Sequence, residues 1–146
     1  MSTNVKYQLM DFIHSDEMLP VFYYHFESFN NDKDNFEQLL FFTEVKALRL
    51  WATLSIANLY IKDRNEFTEI IEYVKQDLFN KTADEALEFI FNRHISYNKY
   101  GQALESLTKV GYEFAENTKL PHLKEESVQM VKAFIGKASE IYREYY

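Results

Sequence analysis

The 146-residue chain has the length of one ordinary domain, enough to bury a real core, and its 47% hydrophobic content fits neither a disordered nor a fibrous protein. With 23 acidic and 16 basic residues the net charge is −7, which repels phosphate backbones and anionic lipid, so neither nucleic acid nor membrane insertion is expected. The absence of cysteine removes disulfides, thiolate metal sites and cysteine nucleophiles, and fits a cytoplasmic protein.

With three Gly, two Pro and no alternating runs bounded by hairpin signals, an all-helical fold is expected. The polar opening Met1-Ser-Thr-Asn, and an apolar cluster interrupted by Asp11 and His14, do not read as a signal sequence. A first helix is predicted over about Lys6 to Ile13. Ser15-Asp16 then caps a second helix with Pro20 in its first turn and Val21, Phe22, His25 and Phe29 on one side. Asn30 to Asp34 reads as a loop, with Asp34 and Glu37 at capping-box spacing.

The stretch from Phe36 to Ile61 dominates the pattern. At about 100° per residue its apolar side chains fall on every side, so it reads as a helix surrounded by protein. Its longest uncharged run, Leu50 to Ile61, is shorter than the roughly 20 residues a bilayer requires. Arg49 sits among Phe42, Val45, Thr53, Ile56 and Tyr60, with no carboxylate three or four positions away. Either a carboxylate from another helix meets it, or an anionic ligand does, since an uncompensated charge there would cost several kcal/mol.

After the polar run Lys62 to Asn65, Phe67, Ile70, Ile71, Val74 and Leu78 mark an amphipathic helix to about Phe79. Thr82 and Glu85 have capping-box spacing ahead of a helix carrying Leu87, Ile90, Phe91 and His94 on its apolar side. Ser96 to Lys99 reads as a corner, Tyr100 to about Phe114 as a further helix closed by Asn117 to Pro121, and Leu123 to Tyr145 as the last. Gly111 and Gly136 lie inside these last two helices, where each costs about 1 kcal/mol relative to Ala, either by chance or to let backbones approach. The wide apolar face of the last helix, ending in Tyr142, Tyr145 and Tyr146, exceeds what one neighbour would bury and suggests a homodimer through the last two helices.

None of the four histidines follows a Glu by three residues, as a di-iron bundle requires, and His25-Phe26-Glu27 puts its two candidate ligands on different faces. No metal is expected. Nucleophile-elbow, P-loop and dinucleotide-loop patterns are absent, and the carboxylates lie mainly on polar faces, so no catalytic activity is expected. His94 alone on an apolar face fits a hydrogen-bonded core or helix-end histidine.

A long buried helix, a short helix ending Phe91-Asn92-Arg93-His94, a corner and two long terminal helices resemble a globin, with His94 where globins carry the proximal haem ligand. The segment from Arg49 to His94 is longer than its globin counterpart, and the central helix has no distal histidine, so no haem is expected. In layout, in FTEVKALRLWATLSIANLY and in FIFNRHISYNKYGQAL, the chain is similar to the non-haem globin sensor domains of spore-forming bacilli. These occur on sporulation sensor histidine kinases and as small free-standing sporulation-inhibitory proteins. That resemblance implies a dimeric globin-like fold whose hydrophobic tunnel holds a fatty acid, with the carboxylate met by an arginine and a chloride ion. Arg49 is the first candidate for that arginine and Arg93 the second. Phe42, Val45, Ile56 and Tyr60 would line the passage, and His94 would join the polar chamber. The implied role is to titrate the ligand or dimer partner of a related sensor kinase and so restrain sporulation. Two other readings fit the residues: a haem globin, and a ligand-free acidic interaction protein of immunity type.

Overall fold

The computed structural model describes residues 3–15, 17, 19–22 and 32–146, with side chains described for 4–15, 17, 19–22 and 39–146. Every regular element among them is helical: α1 (Thr3–His14), α2 (Asp32–Tyr60), α3 (Arg64–Lys81), α4 (Asp84–Asn98), α5 (Leu107–Asn117) and α6 (Lys124–Tyr145). Single 3₁₀ turns, Ala103–Glu105 and Pro121–Leu123, precede α5 and α6. Pro20, Val21 and Phe22 are helical, but His25, Phe29 and the side chains of Asp34, Phe36 and Glu37 lie outside the described residues. None of the described helices is long and apolar enough to cross a membrane.

The 29-residue α2 is the axis of the molecule, packing against α1, α3, α4, α5 and α6. Phe41, Val45, Leu48, Leu50, Trp51, Ala52 and Ile56 are all buried along it, which accounts for an apolar pattern with no preferred side. Each fully buried large side chain contributes about 1.5–3 kcal/mol. Aromatic edges tie the neighbours together: Trp51 meets Tyr97 of α4 at 6.2 Å, and Phe41 meets Phe114 of α5 at 5.7 Å.

Several boundaries differ from the sequence reading, for local reasons. The backbone is already helical at Asp32, so Asp34 stands inside the first turn of α2. Asp63 is the side-chain cap of α3, accepting from the N–H groups of Asn65 and Glu66 at 2.8 and 3.1 Å. Thr82 is the C-cap of α3 and not the N-cap of α4, which is Ala83, with no side-chain acceptor. Helix α4 runs through Ser96 to Asn98, so the corner falls later, at Gly101, whose φ of +91° suits glycine. That turn prevents Tyr100 from opening a helix, and α5 begins only at Leu107.

The apolar face of α6 is buried by α1, α2 and α5 of the same chain. Its width therefore reflects three intramolecular neighbours, and the sequence argument for a dimer loses its premise. The two glycines separate cleanly. A Cβ on Gly111 would stand 2.7 and 2.8 Å from the Val128 Cα and N, whereas one on Gly136 meets nothing within 4 Å.

Gly111→Ala is therefore expected to destabilise the fold by about 1–3 kcal/mol through overpacking of α5 against α6. Gly136→Ala should stabilise it by about 0.5–1 kcal/mol. Urea denaturation of both variants checks the pair, and equal effects would contradict the close helix contact.

Candidate ligand-binding site around Arg49

Among the described side chains of α2 two charges are buried: Glu44 and Arg49 are each 2% exposed. They stand five positions apart, which puts them about 140° apart around the axis. Opposite charges on different sides of one helix cannot answer each other, and the fold treats them differently.

Glu44 is enclosed by donors. The Tyr97 hydroxyl donates to it at 2.7 Å, the Asn117 amide at 3.2 Å, and the Arg93 Nε at 2.8 Å. Burial raises its pKa, opposed by those hydrogen bonds and by the Arg93 charge, while burial drives the Tyr97 phenol well above its ordinary range. Arg93 also lies over the Phe89 ring at 5.0 Å. Its Nε is committed to Glu44, so its role here is to neutralise a core carboxylate that ties α2 to α4.

Arg49 has softer surroundings. Its Nη2 donates to the main-chain carbonyl of Glu17, and its guanidinium lies 4.6 Å from the Phe134 ring centroid and 5.9 Å from that of Phe12. Aromatic faces suit a planar, weakly hydrated cation, and they come from α6 and α1, which flank α2.

Two clefts share this guanidinium. The larger, about 600 Å³, runs between α1 and α6, with Phe12, Leu19, Met130, Phe134 and Ile141 as its apolar wall. Gln8, Asp11, Ser15, Glu17 and Lys137 supply its polar lining. The smaller, about 240 Å³, lies toward α4 and includes Phe42, Val45 and Ile90. A buried guanidinium facing an apolar cleft can take a carboxylate head while the walls take a hydrocarbon tail.

The structure brings together Arg49, Phe42 and Val45 from the sequence reading. Ile56 and Tyr60 lie about 10 and 16 Å further along α2 and line neither cleft. Ile56 is a core residue, and Tyr60 stacks on Tyr142 with centroids 6.2 Å apart and planes 13° from parallel. His94 is buried on α4 with its ring edge-on to Phe91 at 5.8 Å, and it too lines neither cleft. Phe12 and Phe134 were missed as site residues. Both stood in amphipathic runs, and their one distinguishing signal was chemical: a buried arginine without a local carboxylate favours ring faces.

Comparison with protein-family models, with curated proteins and with solved structures found no match for this chain.

The pKa of His94 is lowered by burial, partly offset by hydrogen bonding to the backbone of Phe91 and Ile90. The unfolded chain therefore takes up this proton at higher pH than the folded one. The associated stability is present above the ordinary value of 6.5 and is lost as pH falls through the folded pKa. His94→Gln should reduce the loss of stability between about pH 7.5 and about pH 5.5 in chemical denaturation. An unchanged pH slope would contradict this origin.

Proposed function

We propose that this chain is a fatty-acid-binding helical domain. The carboxylate of the ligand pairs with Arg49, and the acyl chain lies along Phe12, Met130, Phe134 and Ile141 in the cleft between α1 and α6. One observation carries the reading: a guanidinium 2% exposed, held between two phenyl rings, forms part of the wall of a largely apolar cleft of about 600 Å³. A carboxylate offers a guanidinium a bidentate, charge-assisted partner.

The biological setting comes from the resemblance of the central helix and of the Phe89 to Leu104 segment to non-haem globin sensors. In that setting the domain is globin-like and dimeric. It withholds fatty acid, or a dimer partner, from a related sensor histidine kinase and thereby restrains sporulation, with chloride as a companion of the carboxylate. A dimer in this reading uses surface that the single chain leaves exposed on α6, including Ala133 and Gly136. Ala133 and Lys137 also line the larger cleft, so a second copy on that face would cover its mouth.

Displacement of a fluorescent fatty-acid probe by palmitate tests the site. Arg49→Ala should weaken palmitate binding at least about tenfold through loss of a charge-assisted hydrogen bond. Ala133→Trp, at an exposed position on the cleft wall, should obstruct the acyl chain without altering Arg49. Wild-type affinity in both variants would contradict the assignment.

A further inference from the structure

A third cleft, of about 610 Å³, shares no lining residue with the two that border Arg49. It is bounded by the last two turns of α2, the N-terminal half of α3, the end of α4 and the corner that follows it. Leu54, Leu59, Phe67, Ile71 and Leu104 form its apolar walls, and Leu59 and Leu104 stand 52% and 58% exposed. Its volume falls within the roughly 300–1,000 Å³ of ordinary small-ligand pockets, whose usual lining is apolar with a few hydrogen-bonding groups.

The polar part of this lining is neutral. Ser55, Asn58, Asn98 and Gln102 supply a hydroxyl and three carboxamides, and no Asp, Glu, Lys, Arg or His among the described residues lines the cleft. In a chain whose residues are 27% charged, such a wall selects against formal charge. The three carboxamides are exposed and none bonds to a described residue, so a ligand meeting them displaces only water. Neither α2 nor α4 has a basic residue in its last turn, so the negative ends of both helix dipoles border the cleft and disfavour an anion. A cation finds no carboxylate in the wall to replace its water, and Arg64 already lies over the Phe67 ring at 5.6 Å. Lys99, beside the corner, is paired with Glu113.

We infer that this cleft is a second ligand site, for a small uncharged molecule in which an amide is joined to an apolar group. Asn58, Asn98 and Gln102 each present an acceptor oxygen and two N–H donors, the complement of an amide N–H and C=O, while the leucine and phenylalanine walls take the apolar group. An ester lacks the N–H and would leave the carboxamide oxygens without a partner. The corner sets this arrangement. Gly101, at a φ of +91° and with its N–H donating to the Asn98 carbonyl at 3.2 Å, turns the chain so that Gln102 returns to the same cleft as Asn98. Occupancy of this cleft is independent of whether a fatty acid binds beside Arg49, since no residue is common to the two sites.

Titration of the nitrogen-15-labelled full chain with N-acetylphenylalaninamide, followed by two-dimensional NMR, provides the test. The side-chain NH2 signals of Asn58, Asn98 and Gln102 are expected to shift saturably. N-acetylphenylalanine and phenylalaninamide carry the same phenyl group, and at about pH 6 the first is an anion and the second a cation. Each should bind at least about fivefold more weakly than the neutral probe at that pH. Asn58→Leu/Asn98→Leu, read at Gln102, and Leu59→Ser/Leu104→Ser should each weaken the neutral probe at least about tenfold, by removing the polar and the apolar contacts in turn. All four positions are exposed, so the fold is expected to survive, and thermal unfolding checks that it does. None of the four lines the larger cleft, so displacement of the fatty-acid probe should be unchanged. The absence of a saturable shift, equal affinity for the charged analogues, or full affinity in both double variants would overturn the proposal.

Discussion

Burial of the Arg49 guanidinium in the middle of α2 is the constraint on which the rest of this structure turns. A helix that packs against five others has no aqueous side for a charge, and leaving one uncompensated there costs several kcal/mol. The same helix buries Glu44, and the fold meets that charge with a cation, a phenol and an amide. Arg49 is met by a main-chain carbonyl, by the faces of Phe12 and Phe134 and by two clefts. The contrast is between a carboxylate bonded to side chains of α4 and α5 and a cation that borders two clefts.

The remaining architecture follows from keeping the flanking helices in place around that position. Gly111 lets α5 approach the Val128 backbone of α6, and α6 in turn presents Phe134 to Arg49 and Met130 and Ile141 to the larger cleft. On the opposite side, the Glu44 network fixes α4 and α5 against α2. The hydroxyl of Tyr142 donates to the Thr53 carbonyl at 2.9 Å, joining α6 to α2 one turn beyond Arg49. Rigid elements thus hold both clefts, which suits binding by positioned groups.

Much of this was legible in the sequence. The all-round apolar pattern of α2 identified the central buried helix, and the lack of a nearby carboxylate singled out Arg49. Local signals misled where two competed. Thr82 and Glu85 have capping spacing but follow the end of α3, whereas Asp63 and Glu66, at the same spacing within a run read only as a break, mark the true cap. Gly101 announced a turn, but the apolar spacing from Tyr100 to Phe114 outweighed it. The pairing of Glu44 with Arg93 joins residues 49 positions apart, and no periodicity carries such information. For the same reason Ile56 and Tyr60 could be placed near the azimuth of Arg49 but not told apart from core residues. Azimuth on one helix does not reveal which neighbour covers each turn.

The most direct test of the central claim, that Arg49 anchors an acyl ligand, is mass spectrometry of an organic-solvent extract of freshly purified protein, read beside its visible absorption spectrum. The account predicts fatty acid in stoichiometric amount and no haem band. An empty extract from protein that also fails to bind added fatty acid would contradict it, and a haem band would favour a haem globin instead.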